Sequence, residues 1–350
     1  MAGYSVLDRI LHRAALQALP IAELSFELDQ KMVRSDPKDI VGDRHVFVAG
    51  LARAGTTILM RRFHATGEYC SLTYRDMPFV LAPNLWRKLA NLSRRTIAAA
   101  ERAHGDRILV DIDSPESLDE VFWRILDGDA YIGKSHLAPH EPDEETARKY
   151  VGYVNAILNA RGREGARYLS KNNNNILRLA TIRRLFPNAL ILVPFRDPLT
   201  HAGSLLRQQR NFVATQQDDR FAMAYMTWLV HHEFGLDHRP FRFDADGAAR
   251  LAAHDPDRID YWLELWCQTH AWLERNAPEG AIFVCYEDLC RSGEVWDRLA
   301  ALAGIGDPGG AEESFSLSQA AHDTTANAAL VGQANALYGR LVERARDSLR

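Results

Sequence analysis

The chain has 350 residues, 47% of them hydrophobic and 25% charged, with a formal net charge of −4 and a pI near 6.4. That composition supports a folded chain with a full core and excludes a largely disordered one. The slight acidity gives no general attraction to nucleic acid or anionic membrane, so any anion site must be local and the expected partners are small molecules.

The opening stretch, MAGYSVLDRILHRAALQALP, is amphipathic and carries Asp8, Arg9, His12 and Arg13 among its apolar residues. It predicts an N-terminal packing helix, without the apolar core and cleavage site of a signal peptide. No stretch approaches the ~20 apolar residues that span a bilayer, and the expected location is the cytoplasm. Cys70, Cys267, Cys285 and Cys290 form no C-x-x-C pair and read as reduced thiols.

Val46, Phe47 and Val48 form a short buried strand, and Ile58, Leu59, Arg62 and Phe63 lie at helical spacing beyond a glycine-containing loop. MPFVLAPNLWRKLANL and SRRTIAAAERAHG read as helical, punctuated by Pro78, Pro83 and Gly105. RILVDI (107–112) is expected to be the second strand, followed by a helix entered at Ser114 and Pro115. A helix over 142–160 precedes a third strand, RYLSK (167–171), and NNNNILRLATIRRLFPN is a helix ended by Pro187 and Asn188. ALILVPF (189–195) is the most apolar strand, with a helix starting directly at its carboxyl end; AIFVC (281–285) is the last. Nearly unbroken apolar strands alternating with helices predict an α/β fold, a P-loop-like parallel sheet covered by helices on both faces. We expect one domain over 1–350 with its core at 44–304, a largely helical insertion at 212–277, and a terminal helix at 322–350.

The loop after the first strand, GLARAGTT (50–57), spaces Gly50 and Gly55 as in G-x-x-x-x-G-K-[ST], with Thr57 at the hydroxyl position. Thr56 replaces the lysine that contacts β- and γ-phosphates, while Arg53 brings a guanidinium fork into the loop. A helix N-terminus with free N–H groups attracts anions, so the pattern points to phosphate but away from an ordinary triphosphate. Ligands of such sheets bind beyond the carboxyl ends of the strands. There the sequence places Lys171, Arg196, Ser204 and Tyr286 as well as Arg53, three cations on separate elements at one rim.

These residues resemble the sulfotransferases that use 3′-phosphoadenosine 5′-phosphosulfate. Their 5′-phosphosulfate loop, G-x-x-[RK]-[ST]-G-[ST]-[ST], is similar to residues 50–57 with Ala54 in place of the hydroxyl residue. Their 3′-phosphate element, a strand followed by Arg, often Asp-Pro, and a Ser eight residues on, is similar to Arg196, Asp197, Pro198 and Ser204. KNNNNILRLATIRRLFPNALILVPFRDP resembles the bacterial and tyrosylprotein branches, and YEDL (286–289) the late strand with its nucleotide-side tyrosine. The resemblance implies that Arg53, Ala54, Gly55, Thr56 and Thr57 hold the 5′ end. It implies that Arg196 and Ser204 hold the 3′-phosphate, that Tyr286 lies near the nucleotide, and that no metal is needed. It gives Lys171 the leaving group, with Arg53 as second candidate.

The general base is expected at Asp76, the only acid in CSLTYRDMPFV (70–80), where related branches carry a carboxylate. His136, in GKSHLAP, resembles the Lys-Thr-His-Leu-Pro element of cytosolic sulfotransferases; Asp111, Asp113 and Glu116 are further candidates. HHEFGLDHRPF (231–241) fits no metal-ligand spacing and reads as an acceptor-side lid or a subunit contact, which keeps a homodimer open. SFSLSQAAHDTT (314–325) has no Lys or Arg, unlike the basic covering loop of the family, so cover over the nucleotide would fall to Arg207, Arg210 or His322. The acceptor is a small-molecule, sugar, lipid or peptide hydroxyl. The rival readings are a small-molecule kinase on the same sheet and a nucleotide-binding module without turnover.

Overall fold

The computed structural model describes residues 6–90, 100–101, 109–110, 115–116, 118–162, 165–309, 314–317 and 325–349. Its centre is a five-stranded sheet of β1 (Val46–Val48), β2 (Tyr69–Cys70), β5 (Arg167–Lys171), β6 (Leu190–Phe195) and β7 (Ile282–Cys285), in the order β2-β5-β1-β6-β7. Every neighbouring pair is parallel. Two short strands, β3 (Ala100–Glu101) and β4 (Leu109–Val110), form a separate antiparallel pair.

Side chains alternate across the sheet, as the pleat requires. Phe47, Ile191, Val193 and Phe283 enter one apolar cluster, with residues of helices Glu120–Tyr131, Glu144–Arg161 and Ile259–Asn276. Val46, Val48, Leu192 and Val284 enter the other, with Leu59 and Phe63 of helix Thr56–Ala65 and with Trp296 and Leu299 of helix Gly293–Ala303. Both faces are thus closed by helices, which is why β1, β6 and β7 are buried at every residue but Leu190.

Two sequence expectations change. The apolar run at 107–112 is not a strand of the main sheet: its described residues, Leu109 and Val110, pair antiparallel with Ala100 and Glu101. The place beside β5 belongs to Tyr69 and Cys70, where Tyr69 packs edge-on against Phe63 (5.6 Å) and its hydroxyl donates to the Ala303 carbonyl (3.3 Å). SRRTIAAAERAHG does not read as one helix either, since Ala100 and Glu101 are extended; Ser114 lies outside the described residues, and the following helix begins at Glu120.

Helices Pro198–Asp218, Arg220–Trp228, Ala245–Ala252 and Ile259–Asn276 separate β6 from β7, and helix Ala328–Ser348 packs on β7. Among the described residues no helix is long and apolar enough to cross a membrane.

Candidate anion-binding site at the carboxyl rim

The strand order reverses beside β1, whose neighbours are β5 and β6, and the crevice beyond that point is where open α/β sheets bind ligands. Three segments meet there: the loop from β1 to helix Thr56–Ala65, the end of β5, and the start of helix Pro198–Asp218.

The loop is shaped by two left-handed residues, Arg53 (φ 70°) and Gly55 (φ 85°). Gly55 caps the helix, and a Cβ there would stand 2.4 Å from two carbons of the Tyr286 ring. Tyr286 is buried, its hydroxyl donates to the Ser316 carbonyl (3.1 Å), and burial pushes its pKa up to about 12. Gly50 is equally constrained, since its Cβ would lie 2.8 Å from the Pro194 carbonyl oxygen of β6. His201 steadies the loop from below: its Nε2 lies 2.8 Å from the Ala52 carbonyl, and burial holds its pKa well below the usual value, leaving a neutral donor ring.

Arg196, Arg53 and Ser204 are joined directly. Arg196 Nη1 donates to the Arg53 carbonyl (3.2 Å), Arg53 Nε donates to Ser204 Oγ (3.3 Å), and the Arg196 guanidinium sits 5.2 Å from the Tyr286 ring centre. Arg196 is buried, and its Nε has no hydrogen-bond partner among the described residues. Thr56 is buried at the helix start and Ala54 is buried inside the loop. Lys171, also buried, ends β5 in register with Val48, and the next amide, Asn172 N–H, donates to the Val48 carbonyl (3.0 Å).

The supporting residues are ones that sequence reasoning missed. Glu287 accepts the Asp197 N–H (3.0 Å) on one oxygen and the Tyr338 hydroxyl (3.1 Å) on the other, tying the residue after Arg196 to helix Tyr286–Arg291, which follows β7, and to helix Ala328–Ser348. Behind Lys171, Asp119 accepts from Ser170 Oγ (2.6 Å), with burial pushing its pKa up to about 6. Glu120 accepts from Asn172 Nδ2 (2.6 Å) and from both Nη atoms of the fully buried Arg178 (2.6 and 2.9 Å). Two acids five and six residues after the expected helix entry at Ser114, and an arginine three residues beyond an asparagine run, were the only available signals.

Asp76 has a different setting. It closes a capping box with Thr73, accepting the Thr73 N–H at 2.7 Å, and is ion-paired to Arg161. Glu116 accepts the Tyr74 hydroxyl (2.7 Å); Asp111, Asp113 and His322 lie outside the described residues. His136 is partly exposed near the bridge between Ile132 and Leu137, and slight burial, with Arg242 nearby, lowers its pKa. Arg210 donates to the Asp257 carbonyl (2.8 Å).

The histidine-rich segment folds back beside the rim. His238 spans the His232 carbonyl (3.0 Å) and the Tyr261 hydroxyl (2.9 Å), and Asn173 Nδ2 donates to Glu233 Oε1 (2.8 Å). Val230 holds a left-handed φ of 58°, rare for a β-branched residue, while its carbonyl accepts from Asn174 Nδ2 (3.2 Å). Among the described residues no group of three or more His, Cys, Asp or Glu is placed to hold a metal ion.

The profile of the sulfotransferase family matches residues 45–298, spanning every segment of this rim. The chain belongs to the sulfotransferase family. Three solved sulfotransferases are similar to the chain at low sequence identity. STF1 of Mycobacterium tuberculosis H37Rv is 18% identical over 98% of this chain and 87% of its own, with a TM-score of 0.45. STF9 of Mycobacterium avium is 14% identical over 97% and 79%, with a TM-score of 0.44. A sulfotransferase from Alicyclobacillus acidocaldarius is 13% identical over 88% and 96%, with a TM-score of 0.37. No curated protein sequence matches the chain.

Within this sulfotransferase the loop tolerates no side chain at Gly55. Gly55→Ala should lose ~2 kcal/mol or more through the left-handed backbone and the Tyr286 contact. Thermal melting would show a depressed midpoint, partly restored by adding Tyr286→Ala. A wild-type melting curve for Gly55→Ala would count against the loop geometry.

Proposed function

We propose that this sulfotransferase moves a sulfuryl group from 3′-phosphoadenosine 5′-phosphosulfate to a hydroxyl or amine acceptor by in-line displacement. One observation carries the reading: Arg196, Ser204 and Arg53 form a continuous hydrogen-bonded arc beside a helix N-terminus. The residues fit the donor. Arg196 has a buried, unpartnered Nε, and the loop leads through Gly55 directly into the N-terminus of helix Thr56–Ala65. The donor supplies an activated sulfuryl group on a phosphate leaving group.

In this reading the amides of Arg53, Gly55, Thr56 and Thr57 and the Thr56 and Thr57 hydroxyls hold the 5′ end, where the helix dipole favours negative charge, while the Ala54 N–H closes the loop on the Leu51 carbonyl (3.2 Å). Arg196 and Ser204 hold the 3′-phosphate, and Tyr286 supports the nucleotide side while keeping Arg196 in place by cation–π contact. Lys171, buried at the end of β5, meets the charge that develops on the leaving oxygen. Asp76, already engaged by Arg161 and Thr73, has a capping role that competes with work as a base. The protein would act in the cytoplasm as a single domain.

Calorimetry with 3′-phosphoadenosine 5′-phosphate in the presence of a chelator tests the reading. Binding that survives chelation, with a raised melting temperature by mass action, is the expected result. Tight magnesium-ATP binding with none of the bisphosphate would replace the reading with a kinase.

A further inference from the structure

Lys171 sits between two residues whose side chains are gripped by two consecutive acids. Ser170 Oγ donates to Asp119 Oδ2 (2.6 Å), and Asn172 Nδ2 donates to Glu120 Oε2 (2.6 Å). Asn172 is extended (φ −146°, ψ 116°) and prolongs β5 by one residue, so Ser170 and Asn172 share one face of the sheet while Lys171 occupies the other. The register agrees. Ser170 is level with Phe47, whose cluster includes helix Glu120–Tyr131, and Lys171 is level with Val48, whose cluster includes helix Thr56–Ala65. The lysine therefore lies on the side of the loop helix, and the acids hold the strand from behind.

Each acid is itself immobilised. Asp119 Oδ2 also accepts the Tyr168 hydroxyl (3.2 Å), and Glu120 Oε1 accepts the Tyr131 hydroxyl (2.5 Å). Both oxygens of Glu120 take Arg178, whose guanidinium lies 4.8 Å from the Trp123 ring centre and 4.9 Å from that of Tyr131. Asn172 Oδ1 accepts the Asn174 N–H (3.0 Å), so both ends of its amide are used. Asp119, Glu120, Ser170, Asn172 and Arg178 are all buried. Apolar residues of similar volume often stabilise a core as well as a buried ion pair does, and the best-attested use of such a pair is to fix a register. The element fixed here is the end of β5.

We infer that Asp119 and Glu120 are positioning residues for the transfer step, locking the backbone on both sides of Lys171 so that its ammonium is held where the leaving oxygen gains charge. The inference rests on the sulfuryl-transfer reading and on the role that reading gives Lys171. An electrostatic donor lowers a barrier only when it is preorganised. A lysine carries its charge on a flexible four-carbon stem, so the fixed point has to be its backbone.

A double-mutant cycle between Asn172→Ala and Lys171→Ala tests this, with kcat read from consumption of the donor, by hydrolysis or by transfer to 2-naphthol, and bisphosphate affinity read by calorimetry. Asn172→Ala leaves the Glu120–Arg178 pair intact. It should lower kcat by ~10-fold, within the range that misplacing a reacting group produces, and leave bisphosphate affinity unchanged. In the Lys171→Ala background the same substitution should change kcat by less than about twofold, because the lysine through which it acts is gone. Ser170→Ala, on the Asp119 side, should give the same pattern and serves as the test if Asn172→Ala does not fold. Equal fold-losses in both backgrounds would mark a general weakening of the core and overturn the inference. An unchanged kcat in both single variants, or full turnover in Lys171→Ala, would overturn it too. Failure of the wild type to bind the bisphosphate or to consume the donor would instead overturn the sulfuryl-transfer reading beneath it.

Discussion

Lys171→Ala should lower turnover by ~10²–10³-fold while bisphosphate affinity changes little. The magnitude is that of losing one preorganised electrostatic donor to a developing oxyanion. An interaction made mainly in the transition state appears in kcat and not in ground-state binding. The geometry supports this division, because Lys171 lies on β5 whereas the arginine arc hangs between the β1 loop and helix Pro198–Asp218. Its anchor is also rigid: the next residue, Asn172, is fixed by the Val48 carbonyl and by Glu120, itself clamped by buried Arg178. Donor hydrolysis, or transfer to a phenol, reads kcat, and calorimetry reads affinity. Equal loss of both would make Lys171 a ground-state phosphate ligand.

Arg196→Ala should weaken 3′-phosphoadenosine 5′-phosphate by roughly 2–4 kcal/mol, the scale of losing a charge-assisted, largely desolvated contact. Adenosine 5′-phosphosulfate, which has no 3′-phosphate, should bind the variant almost as it binds the wild type. The separation is meaningful because Arg196 meets the 5′ loop at the Arg53 carbonyl, through a 3.2 Å hydrogen bond, and not at the loop's helix end. Parallel losses for both ligands would mean that the variant collapses the loop and that the two ends are not held separately.

The loop, the strands at 46–48, 167–171, 189–195 and 281–285, and the cations at their ends were legible in the sequence because each is a local pattern. A buried parallel strand needs an apolar run, and a tight anion loop needs glycine at fixed offsets. The edge strand Tyr69–Cys70 was not legible, since two residues carry no periodicity and its place is set by Phe63 and the Ala303 carbonyl. RILVDI misled for the converse reason: an apolar run reports burial, not which sheet provides it. Asp76 was legible as an acid, but Arg161, its partner from another helix, was not. Glu287 stood in a quoted motif, yet its value lies in the Asp197 amide, 90 residues away. Glu233 was visible only as one acid in a histidine-rich stretch, because Asn173 approaches it from another part of the chain.

The Glu287 junction bears on how the protein comes into being. Its second oxygen is held by Tyr338, near the carboxyl end of the sequence, so the backbone beneath Arg196 acquires its final brace only when the last helix has docked. Chains fold as they emerge, amino-terminal parts first. The glycine loop and β1 to β6 are therefore synthesised long before the element that completes the arginine's support. A nascent polypeptide, or a product clipped ahead of residue 328, would present the loop without its brace. Removal of that helix would take away the Tyr338 brace and uncover the face of β7 on which it packs.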